Sequence, residues 1–503
     1  MKKNMSKLIS LALAIILVFG ICVPAFASDS IPERTAPVIY VPGVNTSIIY
    51  ANAGTADETE IFPPSEDGIK SAVKVIAPKL LELAALHDWN SFGDTVVAEE
   101  NKLLGATACD NNGNPIGNSG IDWRYPSDDT IISSSETAFR YDWRLDPMQI
   151  AEQLSNYIDH VLAVTGASQV ALRAHSMGGV IVLTYFSQHG YSKVCGTIFD
   201  TTAINGTTVC GKPLSGQINF YGDSLCLYLE DVLGNSGNKE VVDAMLTALY
   251  KLGVFDGLGK LGDNIVENLK SRMYMQSIGI IFATMPGMWA LVSEEDFQAV
   301  KDYYFTGKED EYAGLIEKIN KYDSTVRQHR YELLKETASK MNIGVFTRYN
   351  FAGGSVMPTS RNLSDGIIDT KYSSFGATCA LTTETLGDGY VQKISDGHNH
   401  LSCDGVIDAS TCLFPEYTWF IKDLQHSDRN DNISELETLI LFSHEQFTVN
   451  SSSRWPQFLC NRDGGIYPLS DSDANRTLDM SWDKIFKILI EYLFSLIKNV
   501  IKK

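Results

Sequence analysis

The stretch "ALRAHSMGGVIVL", residues 171–183, runs from an apolar, strand-like segment into a serine set among small residues, then into apolar residues at helical spacing. Ser176 has the pattern small-x-Ser-x-Gly, with Ala174 two residues before it and Gly178 two after. A strand that turns sharply into a helix needs small side chains at those places, and the turn lifts the serine hydroxyl above the sheet. Five residues alone are only moderately specific, since an ordinary serine at the end of a core strand has similar flanks. The context "SQVAL" before and "VIVLTYF" after supplies the strand, turn and helix that a nucleophile elbow requires.

Outward from the elbow the same alternation continues. "APVIYVPG" (36–43) is a short β-rich run stopped by Pro42 and Gly43, and "KVCGTIFD" (193–200) is the next strand. "MQIAEQLSNYIDHVLAVTG" (148–166) places Ile150, Leu154, Ile158, Val161 and Leu162 at helical spacing and stops at Gly166. These segments predict an α/β fold with a mostly parallel sheet flanked by helices. The predicted organisation is a first core part at 28–211, an inserted, mostly helical cap at 212–340, and a second core part at 341–450 that restarts with the strand "NIGVFTRYN" (342–350). A loop-rich extension follows at 451–480 and an amphipathic helix at 481–503. Residues 351–405, rich in Gly, Ser, Thr and Asp, read as long loops of the kind that carry function.

The chain has 503 residues, enough for a large core or two packed units, and a formal net charge of −20. Its first 27 residues show three lysines, an apolar run from about Leu8 to Val18 and Ala25-Phe26-Ala27, the order of a cleaved secretory signal peptide. Removing its three lysines takes the charge from −20 to about −23, which disfavours nucleic acid and anionic membrane as partners of the main body. Eight cysteines remain (109, 195, 210, 226, 379, 403, 412, 460), and nothing in their spacing names a pairing. In the tail, Ile485, Leu489, Tyr492, Leu496 and Val500 share one face, interrupted by lysines and Glu491. This helix is amphipathic rather than spanning, suited to dock on the core, pair with another helix or lie on a lipid interface.

A serine nucleophile needs two backbone N–H groups for the developing oxyanion. Met177, directly after the serine, supplies one, and Val44, after the turn in "VIYVPGV", is the candidate for the second. An acid and then a histidine should follow in chain order. Asp388, in the turn of "TLGDGYVQ", is the expected acid; His426, between an apolar stretch and a helix-like segment, is the favoured base. His398 and His400 are the next candidates, and His444 reads as a surface residue. The H-x-H of His398 and His400, with Asp396 and Asp404 nearby, also has metal-ligand character, but a polar loop without metal or cofactor is the reading preferred.

"PVIYVPG", "FRYDWRLDP" (139–147), "AHSMGG", "GDGYV" and a late histidine, in that order, resemble the lecithin:cholesterol acyltransferase family of α/β-hydrolases. The run Tyr141 to Leu145 is the most specific element, and the likeness spans about 36 to 445, weakest in the cap. It implies Ser176 as nucleophile, His426 as base, Asp388 as its orienter, Val44 and Met177 as oxyanion donors, and lipid or acyl esters as substrates. Ala174 stands where the family has glycine, and Tyr390 where threonine is common. Asp142 and Arg144 read as an internal ion pair. The apolar "IGIIFATMPGMWALV" (278–292) reads as cap core or as an acyl-contacting lid. The expected function is a secreted serine esterase or lipase with possible acyl transfer to an alcohol. A non-catalytic binding protein of the same fold and an amidase or peptidase are the alternatives.

Overall fold

The computed structural model describes residues 31–501 apart from 45–46, 123–125, 135, 234–238, 353–356, 358 and 474. The expected signal peptide at 1–27 lies outside the described residues. An eight-stranded sheet is built from β1 (Val38–Val41), β2 (Glu136–Ala138), β3 (Val170–His175), β4 (Val194–Asp200), β5 (Asn342–Tyr349), β6 (Thr418–Lys422), β7 (Phe458–Arg462) and β8 (Gly465–Pro468). Their spatial order is β8-β7-β6-β5-β4-β3-β1-β2. Every neighbouring pair is parallel except the β7–β8 hairpin. With helices in the connections between the parallel strands, this is the α/β-hydrolase architecture.

Local chemistry explains the elements around the elbow. α1 (Pro147–Thr165) starts where Asp146 accepts the Met148 N–H and Pro147 fixes the first helical φ, and stops at Gly166, φ 71°. α2 (Met177–His189) reads "MGGVIVLTYF" over its first ten residues and is buried along all of them, as a helix apolar on every side must be. It lies against the sheet closely enough that a Cβ on Gly178 would stand 1.9 Å from the Val41 carbonyl oxygen.

Between β4 and β5 the chain is helical, including α3 (Lys239–Lys251), α4 (Val254–Gln276) and α5 (Arg330–Lys340). The stretch at 278–292 is core: Ala283, Met285, Trp289 and Val292 are buried, and the Gly287 N–H donates to the Arg144 carbonyl at 3.1 Å. Asp142 and Arg144 form a buried, two-pronged pair at 2.9 and 2.7 Å, with Arg144 also donating to the Thr107 carbonyl at 3.0 Å.

The extension at 451–480 differs from its sequence reading. It supplies β7 and β8, which turn on Asp463 and Gly464 and complete the sheet beside β6. α6 (Ile433–Phe442) packs on β4 and β5. α7 (Trp482–Ile501) packs on α3 and buries Ile485, leaving Trp482, Phe486 and Ile490 exposed. No helix among the described residues is long and apolar enough to cross a membrane. The eight cysteines from Cys109 onward are all unpaired.

The approach of α2 to the sheet leaves no volume for a methyl group. Gly178→Ala should cost about 3 kcal/mol or more of stability in urea denaturation. Gly257→Ala, on exposed α4 with nothing within 4 Å of the new carbon, should gain roughly 0.5–1 kcal/mol.

Candidate active site

β3 ends at His175 and α2 begins at Met177, so Ser176 makes the whole turn. Its backbone sits at φ 55°, ψ −126°, which a residue with a side chain adopts only under constraint. The constraint is visible in its hydrogen bonds. The Ser176 N–H donates to the Asp200 carbonyl at 3.2 Å, and its own carbonyl accepts from Gly179 at 3.1 Å and Ala203 at 3.0 Å. On the open side the loop after β1 comes so near that a Cβ on Gly43 would stand 2.5 Å from the Ser176 Cβ. Ala174, fully buried, fits the place where glycine is more usual.

His426 follows β6 and faces this turn. Its Nε2 lies 3.0 Å from Ser176 Oγ, and its Nδ1 lies 2.8 Å from Asp365 Oδ2. Asp388, the acid expected from sequence, is instead exposed in a turn and makes no contact with His426. Asp365 takes that place for a physical reason. It follows a two-residue strand, Leu363–Ser364, that pairs with Phe351–Ala352 just beyond β5, and "DGII" carries it inward on apolar neighbours. Its Oδ1 accepts from the N–H groups of Ile367 at 2.9 Å and Ile368 at 2.7 Å, and its Oδ2 also accepts from the Thr201 hydroxyl. Burial alone would raise its pKa. The facing imidazole and these donors outweigh burial and hold the carboxyl below its ordinary value, as the anion.

The histidine's own position is set from behind. Arg348, on β5, donates to the carbonyls of Gln425 at 2.6 Å, His426 at 2.8 Å and Asp428 at 3.0 Å, and pairs with both oxygens of Asp200. Burial is the largest influence on Asp200, but Arg348 and the hydrogen bond from His175 outweigh it and hold the carboxyl well below the usual range. The His175 ring lies beside that of His426, centroids 4.8 Å apart, and burial pushes its pKa down. An immediate imidazolium neighbour for His426 is thereby disfavoured.

Met177 is the first residue of α2, so its buried N–H has no intrahelical acceptor. Val44 sits half-buried next to Gly43, on the other side of the serine. His444 is exposed. His398 and His400 lie by Glu416, ahead of β6, whereas His426 follows β6; they are at the opposite end of the sheet from Ser176. Asp365 and Arg348 are the residues that the sequence reading missed. Local sequence does not separate the two acids: Leu363, Ile367 and Ile368 flank Asp365, 15 residues beyond the strand at 342–350, much as Leu386, Tyr390 and Val391 flank Asp388.

Below the elbow, Arg173 on β3 lies over the Tyr40 ring at 4.8 Å and pairs with Glu437 of α6 at 3.1 Å. Burial, only partly offset by Arg173 and aided by Asp200 and Glu136, pushes the Glu437 carboxyl up to about 7. Unfolded, the same carboxyl titrates near ~4.3, so between about pH 4.5 and 7 the folded state keeps a proton that the unfolded state has lost. This group's contribution therefore falls as pH rises through that window. In urea denaturation at pH 5 and pH 8, the stability of Glu437→Gln relative to wild type should shift in the variant's favour at the higher pH.

Residues 122–228, which include the elbow, match the family model described as Lecithin:cholesterol acyltransferase. No curated protein matches the chain. Among solved structures, a chain in "The crystal structure of Tle4-Tli4 complex" matches at 15% identity, over 35% of this chain and 47% of that one, with a TM-score of 0.19. The alignment thus spans just under half of that chain. At family level, the matched region supports acyl-ester hydrolysis or acyl transfer on a lipid.

Proposed function

We propose that this protein cleaves carboxylic esters of lipid or acyl type through an acyl-serine intermediate on Ser176, with water or an alcohol as the final acceptor. The observation that carries this reading is the continuous chain Ser176 Oγ, His426, Asp365, at 3.0 and 2.8 Å, on a strained strand-to-helix turn. His426 Nε2 takes the hydroxyl proton as Ser176 Oγ attacks the ester carbonyl. Asp365 holds the proton on Nδ1 and stabilises the imidazolium that forms. The N–H groups of Met177 and Val44 receive the oxyanion. His426 then returns the proton to the leaving alkoxide, takes a proton from the water or alcohol that attacks the acyl-serine carbonyl, and gives it to Ser176 Oγ as the acyl–Oγ bond breaks.

Labelling by a fluorophosphonate, with ester hydrolysis measured in parallel, tests the assignment. Ser176→Ala should abolish labelling, and Asp365→Asn should lower kcat by about 10⁴-fold. Asp388→Asn should behave as wild type. Persistent labelling in Ser176→Ala would remove the serine from the mechanism, and equal losses in the two aspartate variants would remove Asp365 from its special place.

The exposed residues of α7 support contact with a lipid surface as part of the same proposal. Trp482, Phe486 and Ile490 form an apolar stripe on a helix anchored through Ile485. Phe486→Ser with Ile490→Ser should slow hydrolysis of an emulsified ester and leave that of a short, monomeric ester unchanged. Equal rates on both substrates would exclude an interfacial role for this helix.

A further inference from the structure

Far from Ser176, Asp396, His398, His400 and Glu416 bring one ligand atom each to within 4.8 Å of one another. Glu416 belongs to the turn Pro415–Tyr417 that leads into β6, and the other three come from the loop ahead of it. His400 is fully buried, and its hydrogen bonding reveals its protonation. Gln457, just before β7, donates its amide Nε2 to the carbonyls of Pro415 at 2.6 Å and Thr418 at 3.3 Å. These oxygens only accept, so the amide orientation is fixed and Gln457 Oε1 faces His400 Nδ1 at 2.7 Å. His400 must carry its proton there.

The Nε2 of His400 faces two carboxylate oxygens, Asp396 Oδ2 at 2.9 Å and Glu416 Oε1 at 3.4 Å, a position that a proton or a metal ion fills. His398 presents the same situation. Asn450 must turn its NH₂ toward the Glu416 carboxylate, 2.6 Å away, and that nitrogen also lies 3.1 Å from His398 Nδ1. His398 Nδ1 lies 2.6 Å from Glu416 Oε1, where a proton bridges the two unless a metal ion takes its place. Two imidazole nitrogens and two carboxylates gather within 4.8 Å, an arrangement in which one cation replaces the shared protons. Two nitrogens and two oxygens are a zinc-type donor set, where calcium and magnesium take oxygen alone. Bonds of roughly 2.0–2.2 Å in a tetrahedron separate ligand atoms by about 3.4 Å, inside the spread seen here.

We propose that Asp396, His398, His400 and Glu416 bind one divalent transition-metal ion of the zinc type. The surrounding contacts suit such a site. Gln457 orients His400 from behind as outer hydrogen bonds orient metal-ligating imidazoles, and the His398 N–H donates to Asp396 Oδ1 at 3.0 Å, turning Oδ2 inward. The ion would join an exposed loop without helix or strand to the starts of β6 and β7. Catalysis in a parallel sheet takes place at the opposite strand ends, so the ion's role is to hold structure.

The test uses the full chain without an affinity tag, stripped with a chelator, dialysed and titrated with zinc chloride in a calorimeter. Melting temperature is followed with zinc, magnesium or calcium chloride. One zinc per chain is expected, with a rise in melting temperature from zinc alone. His398→Ala, at an exposed residue, and Glu416→Gln should each weaken binding by at least about tenfold. Fluorophosphonate labelling of Ser176 reports that each variant is folded. Absence of stoichiometric zinc binding, binding by both variants as tight as by the wild type, or an equal thermal gain from calcium or magnesium would overturn the proposal and leave a cluster of proton-sharing ion pairs. Because the readouts are metal content and melting temperature, failure here is distinct from failure of the esterase reading.

Discussion

The Ser176 backbone, at φ 55° and ψ −126°, costs roughly 1–3 kcal/mol that nothing local to the serine recovers. Neighbouring packing has to supply it. β3 is buried on both faces, α2 is buried along ten residues, and the Asp200 carbonyl receives the Ser176 N–H. A helix that left the sheet at a gentler angle would relax the serine and carry its hydroxyl away from His426. The near-contact of Gly178 with the Val41 carbonyl therefore belongs to the chemistry as much as to the fold. It fixes the angle at which α2 leaves β3, and so places the Met177 N–H next to the serine.

The serine can be held by apolar packing because it sits between two regular elements. The acid and the base come from loops, and loops are held by other means. Asp365 is fixed by two backbone N–H groups and a threonine hydroxyl. The His426 loop is fixed by three of its carbonyls turned onto one guanidinium. Arg348 also binds Asp200, whose carbonyl positions Ser176. One buried cation thus couples the two halves of the site, and removing it would leave an uncompensated buried carboxylate, typically a loss of about 3–5 kcal/mol.

This division explains what could be read from sequence. Elements that bury a regular apolar face were legible: β1, β3, β4, β5, α1 and α2 all lie where periodicity and Gly or Pro punctuation place them. His426 was legible because an apolar strand leads straight to it. Asp388 stood out as a rigid Gly-Asp-Gly turn, but turn geometry says nothing about burial, and the loop carries that turn into solvent. Asp365 is made by contacts with Thr201 and His426, 164 and 61 residues away, which no local pattern encodes. β7 and β8 were hidden by short length and polar flanks, although the Asp463-Gly464 turn between them is a hairpin signal.

Across residues 351–415 few segments are regular, yet many polar side chains are fully buried, Ser364, Asp365, Thr370, Thr382, His400 and Asp408 among them. Such a region gains little from apolar area and stays folded only if each polar group meets a partner. Lys422, at the end of β6 and fully buried, shows the solution: it pairs with Asp404 at 3.1 Å and donates to Asp473 and Asn475. A network of this kind is directional, so it sets loop positions more sharply than apolar packing would. It also has a cost, because one unmet acceptor destabilises the whole region. Lys422 meets that requirement with its own charge at one end of β6, and His398 and His400 pair with Glu416 and Asp396 at the other. The strand that delivers His426 is in this way tied at both ends by electrostatics.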